Sequence, residues 1–280
     1  MSLKKIKVAV VGATGYVGLD LVKILANHPR VRLDYLCAQK NLGKKIHFFD
    51  KRIKKKLPKI SNYKYVEWSK IDLLFTSLPT GESQILIKKL INFKNLKIID
   101  LAADFRLKDP KIYKEFYGKK HLSINLLNSS LYSLSEFVKN KISNYKIISC
   151  PGCYPTTVQI PLIPLIKNKM IKKNNIIIDS KSGYSGAGKN LEKKFTHKNL
   201  YSSIHAYGPP KHRHTSEIDQ QFQNISNKKI SYIFIPHLIP TFRGMLSTIY
   251  VEKENGVSAF KIYKYLKKIH KNNFFVKILP

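Results

Sequence analysis

Carboxylates are what this chain has least of. Its 280 residues carry 17 Asp+Glu against 51 Lys+Arg, a formal net charge of +34. Such a balance suits a nucleic-acid binder or an enzyme of anionic substrates, and it also arises when surface positions drift to lysine. The basic residues are dispersed along the chain (Lys44, Lys45, Lys54, Lys88, Lys172, Lys267) and form no single arm. That pattern favours drift plus anionic small molecules over nucleic acid. Cysteine is scarce too. Three at irregular spacing argue against a disulfide framework and for a reducing compartment. No apolar run approaches the ~18–20 residues a membrane helix needs. No secretory or transit-like segment precedes Ile6, so a cytoplasmic location is expected. What is present suffices for a sizeable core: 43% hydrophobic and 11% aromatic residues, over a length that allows two domains.

The N-terminal half alternates strands and helices. Ile6–Val11 reads as a buried strand, Tyr16–Asn27 as a helix with Val17, Leu21, Ile24 and Leu25 on its apolar face, and Val31–Ala38 as a second strand. Between the first two lies Gly12-Ala13-Thr14-Gly15-Tyr16-Val17-Gly18. Its first glycine gap is one residue wider than in G-x-G-x-x-G. The mechanism is the same: backbone amides approach a pyrophosphate at a helix N-terminus. The second strand ends in Ala38-Gln39-Lys40, with no carboxylate for a ribose 2′-hydroxyl. Lys40 there predicts NADP rather than NAD, unless it is one more surface lysine. Further strands at 71–76 and 96–101 complete a doubly wound parallel sheet, followed by Thr80 and Arg106 at strand ends. Arg106 suits two-pronged capture of phosphate or carboxylate, or equally a structural ion pair.

Cys150-Pro151-Gly152-Cys153-Tyr154-Pro155-Thr156-Thr157 joins a strand to an apolar helix whose interior Pro161 should kink it. A cysteine at a helix N-terminus is pushed toward thiolate, the form that attacks carbonyls; the alternative is a small buried hydrophobe. Cys37 reads as packing, and Cys150 stays open between the two. A strand at 174–179 leads into Ser182-Gly183-Tyr184-Ser185-Gly186-Ala187-Gly188-Lys189-Asn190. This imitates a P-loop but lacks the Ser or Thr that binds Mg²⁺. It is kept as a backbone-rich anion site. Tyr207 to Ile218, with His212-Arg213-His214-Thr215-Ser216-Glu217 within it, forms a second cluster. Thr215 is a natural helix cap, which puts His214 at the helix mouth. The spacing does not make a zinc site, and a general base for Cys153 fits better. Residues 231–236 and 246–252 are expected to pair as strands, 259–271 to form an amphipathic helix, and 274–280 to begin a strand.

In order, the glycine loop at 12–18, Asp104-Phe105-Arg106-Leu107, Pro151-Gly152-Cys153-Tyr154-Pro155-Thr156, Ser182–Gly188, His212-Arg213-His214 and Arg243-Gly244 resemble the N-acetyl-gamma-glutamyl-phosphate reductases. These are relatives of aspartate-semialdehyde dehydrogenases. The resemblance spans essentially the whole chain. It implies a Rossmann-type NADP-binding domain over 1–149 and an α+β catalytic and oligomerisation domain over 150–280. It implies NADPH-dependent reduction of an acyl phosphate through a Cys153 thioester, with His214 as acid/base. Gly12, Thr14, Gly15, Tyr16, Val17, Gly18, Ala38, Lys40, Pro79, Ser185 and Gly186 would contact NADP(H). Arg106, Ser182, Gly183, His212 and Glu217 would hold substrate, with no metal. A homodimer or tetramer is implied as well. A sibling substrate, an aspartyl or carrier-bound aminoadipyl phosphate, would leave these residues unchanged. Departures from the family pattern are Thr80 in place of His, Ser133 and Ser135 in place of Gly and Pro, and a C-terminus shorter than the family's.

Overall fold

The structure, a computed structural model, describes residues 4–138, 141–189, 203–208 and 211–280. It contains two compact units: Met1–Ser133 with Asn140–Cys150, and Leu134–Lys139 with Pro151–Pro280. Among the described residues no helix is long and apolar enough to cross a membrane.

The first unit is built on seven parallel strands in the order β3-β2-β1-β4-β5-β7-β6. They are β1 (Ile6–Val11), β2 (Val31–Cys37), β3 (Ile60–Ser61), β4 (Leu73–Thr76), β5 (Lys97–Asp100), β6 (Ser130–Tyr132) and β7 (Ile147–Ser149). Continuous apolar runs such as Val8-Ala9-Val10-Val11 suit strands covered on both faces. The order reverses at β1, between β2 and β4. In doubly wound sheets ligands bind at the carboxyl ends of strands flanking that switch. Helices α1 (Tyr16–Ala26) and α2 (Glu82–Leu90) start at those ends. Helix α3 (Pro110–Tyr117) shows its boundaries in sequence. Asp109 caps it by accepting from the Lys111 amide, Pro110 sits in the first turn, and Gly118 ends it at φ +67°. A one-turn helix follows, α4 (Ile124–Leu127), and a second, α5 (Ser135–Val138), belongs to the other unit.

Only half of the expected face of α1 is turned inward: Leu25 is buried and Leu21 packs against the core. Val17 and Ile24 are 51% and 63% exposed, and the core side is Gly18, Leu19, Val22 and Leu25. Gly18 must press against the Gly12–Ala13 backbone, where a Cβ would lie 2.1 Å from the Gly12 carbonyl oxygen. That contact turns its neighbour Val17 outward.

The second unit packs α6 (Cys153–Lys167) and α7 (Thr215–Ile225) on a four-stranded sheet. Its strands are β8 (Ile176–Gly183), β9 (His205–Ala206), β10 (Tyr232–Ile239) and β11 (Met245–Tyr250), in the order β11-β8-β10-β9. The strands expected to pair with each other, β10 and β11, do not. β8 lies between them, parallel to β10 and antiparallel to β11. α6 runs on as one helix through Pro161 and Pro164. Pro164 supplies no N–H to the Ile160 carbonyl, and His270, which ends α8 (Ala259–Ile269), feels that carbonyl as an influence opposing the burial that lowers its pKa. Val158, Leu162, Leu165 and Ile166 of α6 bury against Ile218 and Phe222 of α7 and Ile176, Ile178 and Phe234 of the sheet. Each such side chain contributes ~1.5–3 kcal/mol. The sheet's other face leaves Ile177, Ile233, Leu246 and Tyr250 exposed. Residues 274–280 are not a strand: Phe274 and Phe275 are exposed and no strand partner orders them.

Candidate active site

The thiol site lies within the second unit. Gly152, extended at φ −63° and ψ 165°, is the N-cap of α6, and Cys153 is the first helical residue. The Thr156 amide and hydroxyl both donate to the Gly152 carbonyl, at 3.0 and 2.9 Å, closing the first turn. Cys153 therefore sits at the positive end of a fifteen-residue helix, and its side chain is exposed. The other cysteines are not competitors. Burial pushes the Cys37 and Cys150 thiols up to about 11, with Asp100 adding to the effect at Cys150 and Arg106 opposing it.

Glu217 stands behind the thiol's turn. Its carboxylate has no exposed surface. Oε2 accepts the Gly152 N–H at 2.9 Å, and Oε1 stands 3.8 Å from His214 Nε2. The sequence reading put Glu217 among groups that touch substrate. A fully buried carboxylate cannot do so, and the geometry makes it the tie between the turn before Cys153 and the histidine. His214 is itself the N-cap of α7, in place of the expected Thr215, and Glu217 lies in that helix's first turn, where a negative charge is favoured.

His212 accepts the His214 N–H on Nδ1 at 3.1 Å, which leaves its proton on Nε2. Burial lowers its pKa to about 4, with Arg213 adding to the shift. It is neutral near pH 7 and cannot hold a substrate anion by charge. It sits edge-on against Tyr154, Tyr207 and Phe234. Tyr154 also meets His214 edge-on at 5.9 Å. Its hydroxyl donates to the His237 carbonyl at 3.2 Å and accepts from Tyr207 at 3.1 Å. Burial raises the pKa of both phenols, and the charge of Cys153 acts on each. The sequence reading gave neither tyrosine a role, although Tyr154 adjoins the thiol and Tyr207 opens the stretch that carries the two histidines; the two meet across 53 residues.

The loop kept as an anion site is differently employed. The amides of Gly183, Tyr184 and Ser185 donate to the carbonyls of Gly244, Thr241 and Phe242, and Gly188 donates to Ser185. They are not available as a backbone nest. Gly183 is required by that docking, because a Cβ would lie 2.8 Å from the Thr241 oxygen and 2.9 Å from the Arg243 nitrogen. Ser182 is buried and donates to the Gly183 carbonyl, while Ser185 is half-buried and Gly186 exposed. Asn190, which ruled out the P-loop, lies outside the described residues.

The glycine loop belongs to the first unit. Gly12 has φ +90°, and a Cβ on it would lie 2.2 Å from the Ser77 carbonyl oxygen. Gly15 is the N-cap of α1, so Tyr16, Val17 and Gly18 form its first turn. Gly12 and Gly18 let backbone pack on backbone, and the tight turn so formed leads into the N-terminus of α1, a place suited to a dinucleotide's pyrophosphate. Thr14 lies in the same turn. Ala38 and exposed Lys40 follow β2, and Pro79 and Thr80 follow β4. Lys119 Nζ donates to the Thr80 carbonyl at 2.8 Å. Arg106, half-buried, donates from Nη2 to the Leu101 carbonyl at 2.9 Å. Thr80 and Arg106 thus belong to the first unit and Cys153 to the second.

Comparison with known proteins agrees with this division. Residues 7–145 match the family profile "Semialdehyde dehydrogenase, NAD binding domain", and 153–280 match "Semialdehyde dehydrogenase, dimerisation domain". The chain is 42% identical over 277 residues to a probable chloroplastic N-acetyl-gamma-glutamyl-phosphate reductase of Oryza sativa, covering 99% of this chain and 66% of that protein. It is likewise 42% identical to the N-acetyl-gamma-glutamyl-phosphate reductase of Ehrlichia canis (98% and 79%) and 39% identical to that of Rhodospirillum rubrum (99% and 80%). Among solved structures, aspartate semialdehyde dehydrogenase II of Vibrio cholerae superposes with a TM-score of 0.68 at 17% identity, over 95% of this chain and 79% of that one. The Candida albicans aspartate semialdehyde dehydrogenase with NADP gives 0.61 at 15% identity, over 95% and 76%. At these identities the structures share the fold.

Proposed function

This chain belongs to the N-acetyl-gamma-glutamyl-phosphate reductase family, and from that premise we propose that it reduces N-acetyl-L-glutamyl 5-phosphate to N-acetyl-L-glutamate 5-semialdehyde and phosphate, a step of arginine biosynthesis. The observation that carries the reading is Cys153, exposed at the first residue of α6 with Glu217 bridging its turn to His214. Cys153 sulfur attacks the acyl carbon, the bond to the phosphate oxygen breaks, and a thioester forms on the enzyme. The amides at the α6 N-terminus stabilise the oxyanion, a contribution of ~3 kcal/mol for one such donor. NADPH, when bound, would supply the hydride for the thioester carbon. His214 gives a proton to the developing oxygen and takes it back as the carbon–sulfur bond breaks and aldehyde leaves. Glu217 supports the positive charge that His214 carries before it gives that proton and after it takes it back.

The glycine loop of the first unit holds the cofactor, and Lys40 with no carboxylate after β2 favours the 2′-phosphate of NADPH. Arg106 holds a substrate anion. The match of 153–280 to a dimerisation domain supports a homo-oligomer, and the open face of the second sheet, with Ile177, Ile233, Leu246 and Tyr250, is the surface for it. A reducing, cytoplasmic compartment suits chemistry that runs through a thiolate, and the three cysteines form no disulfide.

The test runs the reaction backward: phosphate-dependent reduction of NADP⁺ by N-acetylglutamate semialdehyde. NAD⁺, and aspartate semialdehyde in place of substrate, serve as comparison arms. Cys153→Ser is expected to lose at least a thousandfold in rate. A variant as fast as the parent overturns the thioester mechanism, and a preference for aspartate semialdehyde overturns the substrate.

A further inference from the structure

The registers of the second sheet lay its outer face out as a grid. Tyr250, Ile177 and Ile233 stand side by side on β11, β8 and β10; then come Thr248, Asp179 and Ile235; then Leu246, Lys181 and His237. Four of these large apolar side chains are well exposed: Tyr250 57%, Ile177 40%, Ile233 57% and Leu246 61%. At the centre stand ions. Asp179 Oδ2 bonds Lys181 Nζ, and Asp179 Oδ1 lies 3.1 Å from His237 Nδ1. All three polar side chains are half-buried by their apolar neighbours.

An ion pair in water is worth little. Covered by protein, the same pair becomes costly to part, and only arrangements that keep it satisfied survive. The face has both signs at its middle. A two-fold arrangement brings the same patch to itself, so a surface with one sign would repel its copy. One with an adjacent carboxylate and ammonium can meet the opposite charges of its copy. Apolar side chains on either side supply the attraction, and the ionic centre supplies the alignment.

We propose that Asp179, Lys181 and His237 are the element that orients a second copy of this chain on the open sheet face. The proposal rests on the homo-oligomer reading above and adds what fixes its geometry. None of the three belongs to the catalytic or cofactor machinery.

The experiment is sedimentation equilibrium of the full chain over a concentration series, with the melting temperature of each variant measured alongside. Asp179→Asn and Lys181→Met, each leaving one ion behind, are expected to raise the dimer dissociation constant about 100-fold. The double variant Asp179→Asn/Lys181→Met is expected to recover at least tenfold of that loss, since no lone charge is left to bury. Lys181→Arg, which keeps the charge, should associate within threefold of the parent and guards against a mere folding defect. If both single variants associate as the parent does while Ile233→Glu dissociates, the face is the interface and the proposed role of the ions is wrong. If the parent stays monomeric at every concentration, the oligomer reading falls and the proposal with it.

Discussion

Replacing Glu217 by Gln isolates the charge from the hydrogen bond. The amide oxygen of Gln can still accept the Gly152 N–H that Glu217 Oε2 takes at 2.9 Å. What is lost is the negative charge 3.8 Å from His214 Nε2. Two unit charges at that separation attract by about 4 kcal/mol at an effective dielectric constant of ~20. This bounds the support the carboxylate gives to an imidazolium formed during turnover, and 4 kcal/mol corresponds to about three decades in rate. The expected result is a fall in kcat of ~10²–10³, with KM for the semialdehyde within about threefold of the parent. The pH dependence of kcat should also shift, because a cation without its partner is held less well. Melting temperature should change by no more than a few degrees. Glu217→Ala provides the contrast. It leaves the buried Gly152 N–H without a partner, at a cost of ~1–3 kcal/mol. It should therefore lower stability as well as kcat. Steady-state kinetics across pH, with calorimetry on the same preparations, decide the matter. A Gln variant with parental kcat, or one whose defect sits entirely in KM, refutes the assignment of Glu217 as a residue acting through His214.

Two further perturbations test the frame around the site. Asp100 is fully buried, and burial raises its pKa, with Ser83 and Thr76 opposing. The folded chain then binds a proton more tightly than the unfolded one, so stability falls as pH rises from the ordinary carboxylate range through the raised value. Asp100→Asn does not titrate, so the melting temperature of the variant should gain on the parent from pH 4 to pH 8; parallel curves would remove this account. Gly18→Ala places a methyl 2.1 Å from the Gly12 oxygen. Overpacking of this kind costs ~1–3 kcal/mol and must displace the loop backbone. NADPH affinity, followed by fluorescence titration, should drop more than tenfold, and unchanged affinity would show that the loop does not hold the cofactor.

The parts of this molecule legible in sequence are those fixed by neighbours along the chain. The apolar run at 8–11 followed by Gly12 and Gly18 announces a strand, a tight turn and a helix within a dozen residues, and the parallel sheet follows from repetition of that unit. Cys153 was readable for the same reason: strand, turn and helix start are contiguous. Long-range pairings were not readable. β8 takes β10 on one side and β11 on the other, and no property of β10 and β11 themselves forbids their pairing directly. Glu217 reaches an amide 65 residues back, so its burial could not be inferred from the His212–Glu217 stretch. The anion-loop reading failed because the partners of its amides, at 241–244, lie some 60 residues downstream. Even the cap of α7 misled, since His214 occupies a place that Thr215 suits better.

The same sheet serves both proposed functions of the second unit, because side chains alternate across it. On β8, Ile176, Ile178, Ser180 and Ser182 are buried on the side of α6, while Ile177, Asp179 and Lys181 are on the other. Ser180 Oγ hydrogen-bonds Ser247 Oγ on β11, which in turn bonds Thr157 Oγ1 on α6, each at 2.7 Å. On β10 the His237 side chain is on the open face, yet its carbonyl receives the Tyr154 hydroxyl, one residue from the thiol. The helix that presents Cys153 is thus fastened at two points, to β11 and β10, the neighbours of the strand whose far side carries the ions Asp179 and Lys181. A slip of one residue in β8 would send Asp179 and Lys181 into the core and Ile178 to the surface. Gly183, whose missing side chain lets the 241–244 backbone dock, ends that strand at the place where such a slip would be blocked. Register here is therefore a single constraint, and it sets the thiol's footing and the pattern of the open face together.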